Sequence, residues 1–199
     1  GFTTMYGANH EDIAYSYRTG NHGDGSWYSI NGNIDYQRTS RKNKQRMITF
    51  SYKINTQPQT SNSNTGYEDI HAKEEVDDLV KRLLLKNSQS DGKTNTMEQT
   101  FQVDYTTPIG ELHTVEAGAK YIFRRNTSDN KLYEAAGGSD DYLYNEDRSS
   151  DYRHLNHILA AYLGYTLKYK DFTFKPGVRY EQTVQRVKYI VGPGENFHT

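Results

Sequence analysis

The clearest pattern in the chain runs over 155–183. Odd positions Leu155, His157, Leu159, Ala161, Leu163, Tyr165 and Leu167 form a nearly continuous apolar face. After a turn at 168–171 the even positions Phe172, Phe174, Pro176, Val178 and Tyr180 do the same, with Lys175, Gly177, Arg179, Glu181 and Thr183 between them. A period of two sustained this long marks β-strands rather than a helix. The pair predicts an antiparallel hairpin. Its strands exceed the usual ~5–6 residues and reach the ~9–11 that a tilted strand needs to cross a bilayer.

The same period recurs upstream. Ile13, Tyr15 and Tyr17 share a parity over 12–20, and glycine-rich 21–25 reads as a turn. Tyr28, Ile30, Gly32, Ile34 and Tyr36 share one over 26–39, followed by a basic turn at 40–44. Ile48, Phe50, Tyr52 and Ile54 do so over 45–57. Phe101, Val103 and Tyr105 precede a turn at 107–111, and Val115, Ala117, Ala119, Tyr121 and Phe123 follow it. Segments 58–96 and 126–153 are polar and read as long connections. Within the first, Val76, Leu79, Val80, Leu83 and Leu84 fall at helical spacing over 72–86, acids early and bases late, as the helix dipole favours. The stretch from 184 continues as strand and breaks at Gly192-Pro193-Gly194.

The expected fold is therefore all-β: an antiparallel up-and-down meander of long strands, with one short helix in a long loop. It forms a transmembrane β-barrel or a fragment of a larger one, and 1–199 is a single barrel segment. Outer-membrane barrels alternate short periplasmic turns with longer extracellular loops. That alternation places 40–44, 107–111 and 168–171 inside and the connections 58–96 and 126–153 outside. About seven strands are counted, whereas closed barrels of this class use even numbers from about eight upward. Either a strand hides near 2–8 or 184–191, or the chain is a slice of a larger wall.

Composition changes this picture little. A net charge of −1 lacks the basic surface that nucleic-acid binding requires. No apolar run is long enough for a transmembrane helix, no signal peptide is read at the N-terminus, and the lack of cysteine decides nothing. A polar average is expected where only every second residue meets lipid.

Two hairpins carry a resemblance. Ala160-Ala161-Tyr162, the basic turn, and Gly177-Val178-Arg179-Tyr180-Glu181-Gln182-Thr183 form the first; Asp104-Tyr105 and Glu116-Ala117-Gly118-Ala119-Lys120-Tyr121 form the second. They resemble the barrel of TonB-dependent outer-membrane receptors, and more narrowly the outer-membrane protein β-barrel family. Asn156 stands where that family often has an acidic residue. The resemblance implies the outer membrane of a Gram-negative bacterium, contact with its lipid, and nutrient uptake. It also implies a barrel of 22 strands behind a plug, and energy from a TonB-type partner acting through that plug, which is not recognisable here.

Candidate site residues follow from parity. Glu98, Asp104, Glu116, Lys120, Arg124, Arg179 and Glu181 occupy the polar parity, which in a barrel wall lines the lumen. Tyr133, Asp140, Asp141, Tyr142 and Tyr144 mix aromatic faces with acceptors, a combination suited to sugar stacking or a cationic ligand. His154 and His157 sit three apart, so on a strand they point to opposite faces and share no metal. Neighbours His10, Glu11 and Asp12 splay apart on an extended chain. No catalytic motif is present, and neither cofactor nor metal nor enzymatic activity is expected. The competing reading is a water-soluble antiparallel barrel or sandwich that binds a small ligand or glycan, with the same apolar parity turned inward. An isolated slice would have to close into a barrel of about eight strands or self-associate through its edges.

Overall fold

The structure is a computed structural model, which describes residues 1–7 and 12–199. The His10-Glu11-Asp12 cluster falls largely outside the described residues. The strands are β1 (Phe2–Tyr6), β2 (Ile13–Trp27), β3 (Ile30–Thr39), β4 (Met47–Ala72), β5 (Lys86–Ile109) and β6 (His113–Ala136). They continue with β7 (Leu143–Tyr144), β8 (Ser150–Tyr169), β9 (Phe172–Phe174), β10 (Gly177–Val191) and β11 (Phe197–His198). A helical turn, α1 (Asp77–Leu79), leads into a π-helical turn at Val80–Leu84. All form one antiparallel sheet in which sequence neighbours are spatial neighbours.

Two of the strand breaks are made by proline. β2 and β3 both pair with β4, β2 against 59–72 and β3 against 47–56, so they are one line interrupted at Tyr28 and Ser29. There Tyr28 N–H donates to the Pro58 carbonyl at 3.3 Å, and Pro58 has no N–H to return. Likewise β9 and β10 both pair with β8, and at their junction Tyr165 N–H donates to the Pro176 carbonyl at 3.0 Å. Among the described residues the long strands are thus 13–39, 47–72, 86–109, 113–136, 150–169 and 172–191, six where about seven were expected. Stubs β1 and β11 lie at the two ends.

The short connections fall where the pattern puts them. A two-residue turn, Lys170 (φ 51°) and Asp171, joins β8 to β9, and Gly110 (φ 67°) opens the turn after β5. Positive φ is ordinary for a hairpin turn and free of strain at glycine.

The long connections are shorter than the sequence suggests. β4 continues to Ala72 and β5 begins at Lys86, so 58–96 shrinks to 73–85. β6 runs to Ala136 and β8 begins at Ser150, so 126–153 shrinks to 137–149, which itself contains β7. The Gly-rich 21–25 is strand as well, paired with 61–65. These extensions are polar on both faces, so they carry no alternation to announce them. The helix predicted over 72–86 narrows to 77–84, and of its expected apolar face only Val80 is fully buried. Leu79, Leu83 and Leu84 stay exposed.

Register settles which residues share a face, because directly opposed residues point the same way. Tyr36, Phe50, Val103, Ala119, Ala161 and Tyr180 form one cross-strand row. Ile48, Tyr105, Ala117, Leu163 and Val178 form the next. On β6 the apolar rows extend from His113 to Phe123. That is roughly 33 Å along a strand at ~3.3 Å per residue, or about 23 Å across at a tilt of ~45°. The apolar band of outer-membrane barrels is about 25 Å tall. These side chains are uncovered: Phe50 is 48% exposed, Leu163 53% and Val178 65%. A water-soluble barrel or sandwich would bury them.

The sheet does not close. β1 and β11 occupy opposite ends and do not meet, so the alternative of a small closed barrel is not what forms. Closing it with apolar side chains inside would reverse the face that the band presents. Among the described residues no helix is long and apolar enough to cross a membrane, which says nothing of strands.

Candidate functional site

The face opposite the apolar band carries every residue expected on the polar parity. Asp104, Gly118, Tyr162 and Arg179 form one row. Lys120 and Glu181 fall in the next, and Glu116 lies beyond Asp104 on the other side. Glu98 and Arg124 are directly opposed, and Arg124 donates to Glu98 Oε2 from both Nε (2.8 Å) and Nη2 (2.5 Å). Lys175 reaches Glu116 at 3.2 Å, and Arg179 pairs along its own strand with Glu181 at 2.6 Å. Only the Glu98–Arg124 pair is the direct cross-strand bridge that parity suggests; Lys120 takes part in none among the described residues.

Gly118 explains a longer reach. The Tyr162 ring lies over it, and the Tyr162 hydroxyl donates to Asp104 Oδ1 at 2.5 Å, two strands away. A Cβ on Gly118 would stand 2.6 Å from both Tyr162 Cζ and Asp104 Oδ1. The glycine is the floor that lets the tyrosine cross. Gln102 Nε2 holds the other carboxylate oxygen at 2.8 Å.

Further along the same face is a feature that sequence reasoning missed. Asn126 and His154 are opposed, and Asn156 is opposed to Arg124. Asn126 Oδ1, His154 Nε2 and Asn156 Oδ1 are buried and lack a hydrogen-bond partner. Buried polar atoms are rarely left unpaired, because each forfeits hydration without a return. The signal is partial: Asn126 continues the parity of Arg124 into 126–153, which the pattern reads as a connection, while Asn156 stands on the polar parity of the strand that begins at Leu155. His157, by contrast, faces the apolar side and hydrogen-bonds the Tyr121 hydroxyl through Nδ1 at 2.7 Å.

The tyrosine–aspartate group is brought together in part. β7 pairs with β6, setting Tyr144 opposite Tyr133 with ring centroids 5.6 Å apart at 57°. Asp141 and Tyr144 help line a cleft of about 520 Å³ with Arg82, Lys86, Glu134 and Asp147. Asp140 and Tyr142 do not line it; the Tyr142 N–H donates to the Asp140 carbonyl.

Glu134, not foreseen as a site residue, lines this cleft. Its side chain is only 10% exposed. Asn145 Nδ2 donates to it at 2.7 Å, Lys86 Nζ stands 3.5 Å away, and Arg148 binds its other oxygen. Burial pushes its carboxyl up, but the Asn145 amide, Lys86 and Arg148 together outweigh that. The group is held below the ordinary glutamate value of 4.5. The two long connections meet beside it: Gly137 N–H donates to the Lys81 carbonyl at 2.9 Å, and Asn87 Nδ2 to the Ser139 carbonyl at 3.1 Å.

A family model for the outer membrane protein beta-barrel family matches residues 38–197. The chain belongs to that family. Membership accounts for the bare apolar band and the polar face together, and it sets the chain in the outer membrane of a Gram-negative bacterium. Among solved structures, the ferric citrate transporter FecA in its unliganded form is similar, at 14% identity and a TM-score of 0.36. That likeness covers 89% of this chain and 31% of the transporter chain. No curated protein matches.

Proposed function

We propose that this barrel segment is part of the wall of a TonB-dependent receptor that takes up a nutrient, by transport rather than catalysis. The polar face lines the lumen. The connections at 73–85 and 137–149, with the strand extensions beneath them, stand outside the cell. Energy arrives from a TonB-type partner through a plug seated in the lumen.

One observation carries the reading. Asn126, His154 and Asn156 present buried, unpartnered polar atoms on the inner face, beside the Glu98–Arg124 pair. Those atoms are covered by the wall itself; the half-exposed Glu98, Arg124 and Lys120 around them are what the lumen offers a second polar body. The cleft at Glu134 is the outer capture point. Since Lys86, Arg148 and Asn145 already satisfy that carboxylate, the cleft favours a hydroxyl-rich guest stacked on tyrosine over a cation.

The test is accessibility under energy. A cysteine at position 156, probed on intact cells with a small hydrophilic maleimide, should label faster when the proton-motive force is present and the ligand is supplied. Labelling that ignores both would rule out an energised plug at this wall.

A further inference from the structure

The apolar band ends unevenly. On β6, β8 and β10 the first row above Phe123 places Arg125 and Arg186 on either side of Leu155. The next row sets Arg153 directly opposite Lys188. All four cations are on the band's own face and exposed. On β4 and β5 the same two rows hold Thr56, Met97, Pro58 and Asn95, without charge. The cations are therefore a local patch and not a girdle.

The patch is electrostatically unfinished. Like charges directly opposed on neighbouring strands destabilise a sheet. Among the described residues none of the four takes part in an ion pair. The nearest carboxylates on that face, Asp129 and Asp151, lie one row further from the band, and Asp129 is engaged by Lys131 at 3.9 Å. A counter-charge must come from elsewhere.

We infer that these residues form a binding site for a phosphate-bearing lipid headgroup in the leaflet on the side of the long connections. Arginine forks match phosphate oxygens two at a time, and basic clusters at a bilayer surface recruit anionic lipid. Immediately below the patch the same strands turn apolar, at Phe123, His157 and Val184. A guest here has a charged head above and hydrocarbon beneath, which selects a lipid over free phosphate. The site is separate from the nutrient route. It rests only on the apolar band facing lipid, which Leu163→Cys with a lipid-phase probe checks independently.

The experiment compares the intact protein with a variant combining Arg125→Gln, Arg153→Gln, Arg186→Gln and Lys188→Gln. Both are placed in phosphatidylcholine nanodiscs containing a trace of lipopolysaccharide or of its enzymatically dephosphorylated form, and retained lipid is counted by native mass spectrometry. The intact protein should retain the phosphorylated lipid at least tenfold over the dephosphorylated one, and the variant should lose that preference. Equal retention by the two proteins overturns the proposal, as does full displacement by millimolar inorganic phosphate, which would mark a simple anion site. Thermal midpoints in pure phosphatidylcholine give a second readout. The variant should be as stable as the parent or more so, since the opposed charges are gone. A fall there would make the cations structural and overturn the site.

Discussion

Gly118 and Tyr162 show how one residue on this wall depends on the absence of another. Because a Cβ at 118 would collide with the Tyr162 ring and with Asp104, Gly118→Val should expel the ring. The expected cost is about 1–3 kcal/mol of overpacking, read from refolding in lipid vesicles against urea. Tyr162→Ala should remove most of that penalty, so the two substitutions should be strongly non-additive; simple additivity would mean the ring never crosses the glycine. Glu134 gives a residue-scale pH effect. Its folded carboxyl titrates below its unfolded value, so its contribution to stability is present above the unfolded value. It is lost as pH falls through the lower folded one. Protection factors of 132–149, with the intrinsic pH dependence of amide exchange divided out, should therefore fall on acidification in the parent. In Glu134→Gln that step should be missing, and an identical acid profile in both would refute the assignment. The local mix of tyrosine and aspartate marks the stretch that holds Asp141 and Tyr144, both of which line the cleft. Glu134 is not marked in this way, since nothing in its sequence neighbourhood shows that Lys86 and Arg148 converge on it.

At the scale of strands, alternation was readable only where lipid imposes it. Within the band each strand has one wet and one apolar face, and the residues Phe50, Val103, Ala117 and Leu163 fall on the parity assigned to them. Above the band both faces are wet, the constraint vanishes, and 58–72, 86–96 and 126–136 look like loops although they are paired, with one bulge at Asp69 and Ile70. The short helix stands where its spacing puts it, over 77–84, but shorter than 72–86, because spacing fixes a period and not which neighbours cover the face. The facing itself can be tested by substitution. Leu163→Arg should cost about 2–4 kcal/mol near the middle of the bilayer, while Thr183→Arg, on the polar face, should cost far less. Equal penalties in vesicle refolding titrations would mean that the apolar rows do not meet lipid.

For the whole molecule the decisive feature is its two edges. Among the described residues β1 covers only the start of β2, so the outer side of 20–39 has no strand partner, and β11 with Thr199 covers β10 only from Gln185 to Val187. Outward-pointing backbone donors and acceptors along 20–39 and 177–184 are open for pairing. In a complete wall, neighbouring strands would occupy both. Prepared alone in detergent, the chain has no such neighbours. The lowest-cost way to satisfy both edges without burying the apolar band is to pair with further copies of itself. Sedimentation in density-matched detergent should then show dimers or larger species, with slow hydrogen exchange along 30–39 and 178–184. Proline in place of Thr183 or Asn33 removes one edge donor each, since odd-numbered N–H groups point outward on both edge strands, and should shift the population toward monomer. A monomer whose edge amides are nevertheless protected would mean that the sheet closes on itself in detergent, and the open wall would have to be abandoned.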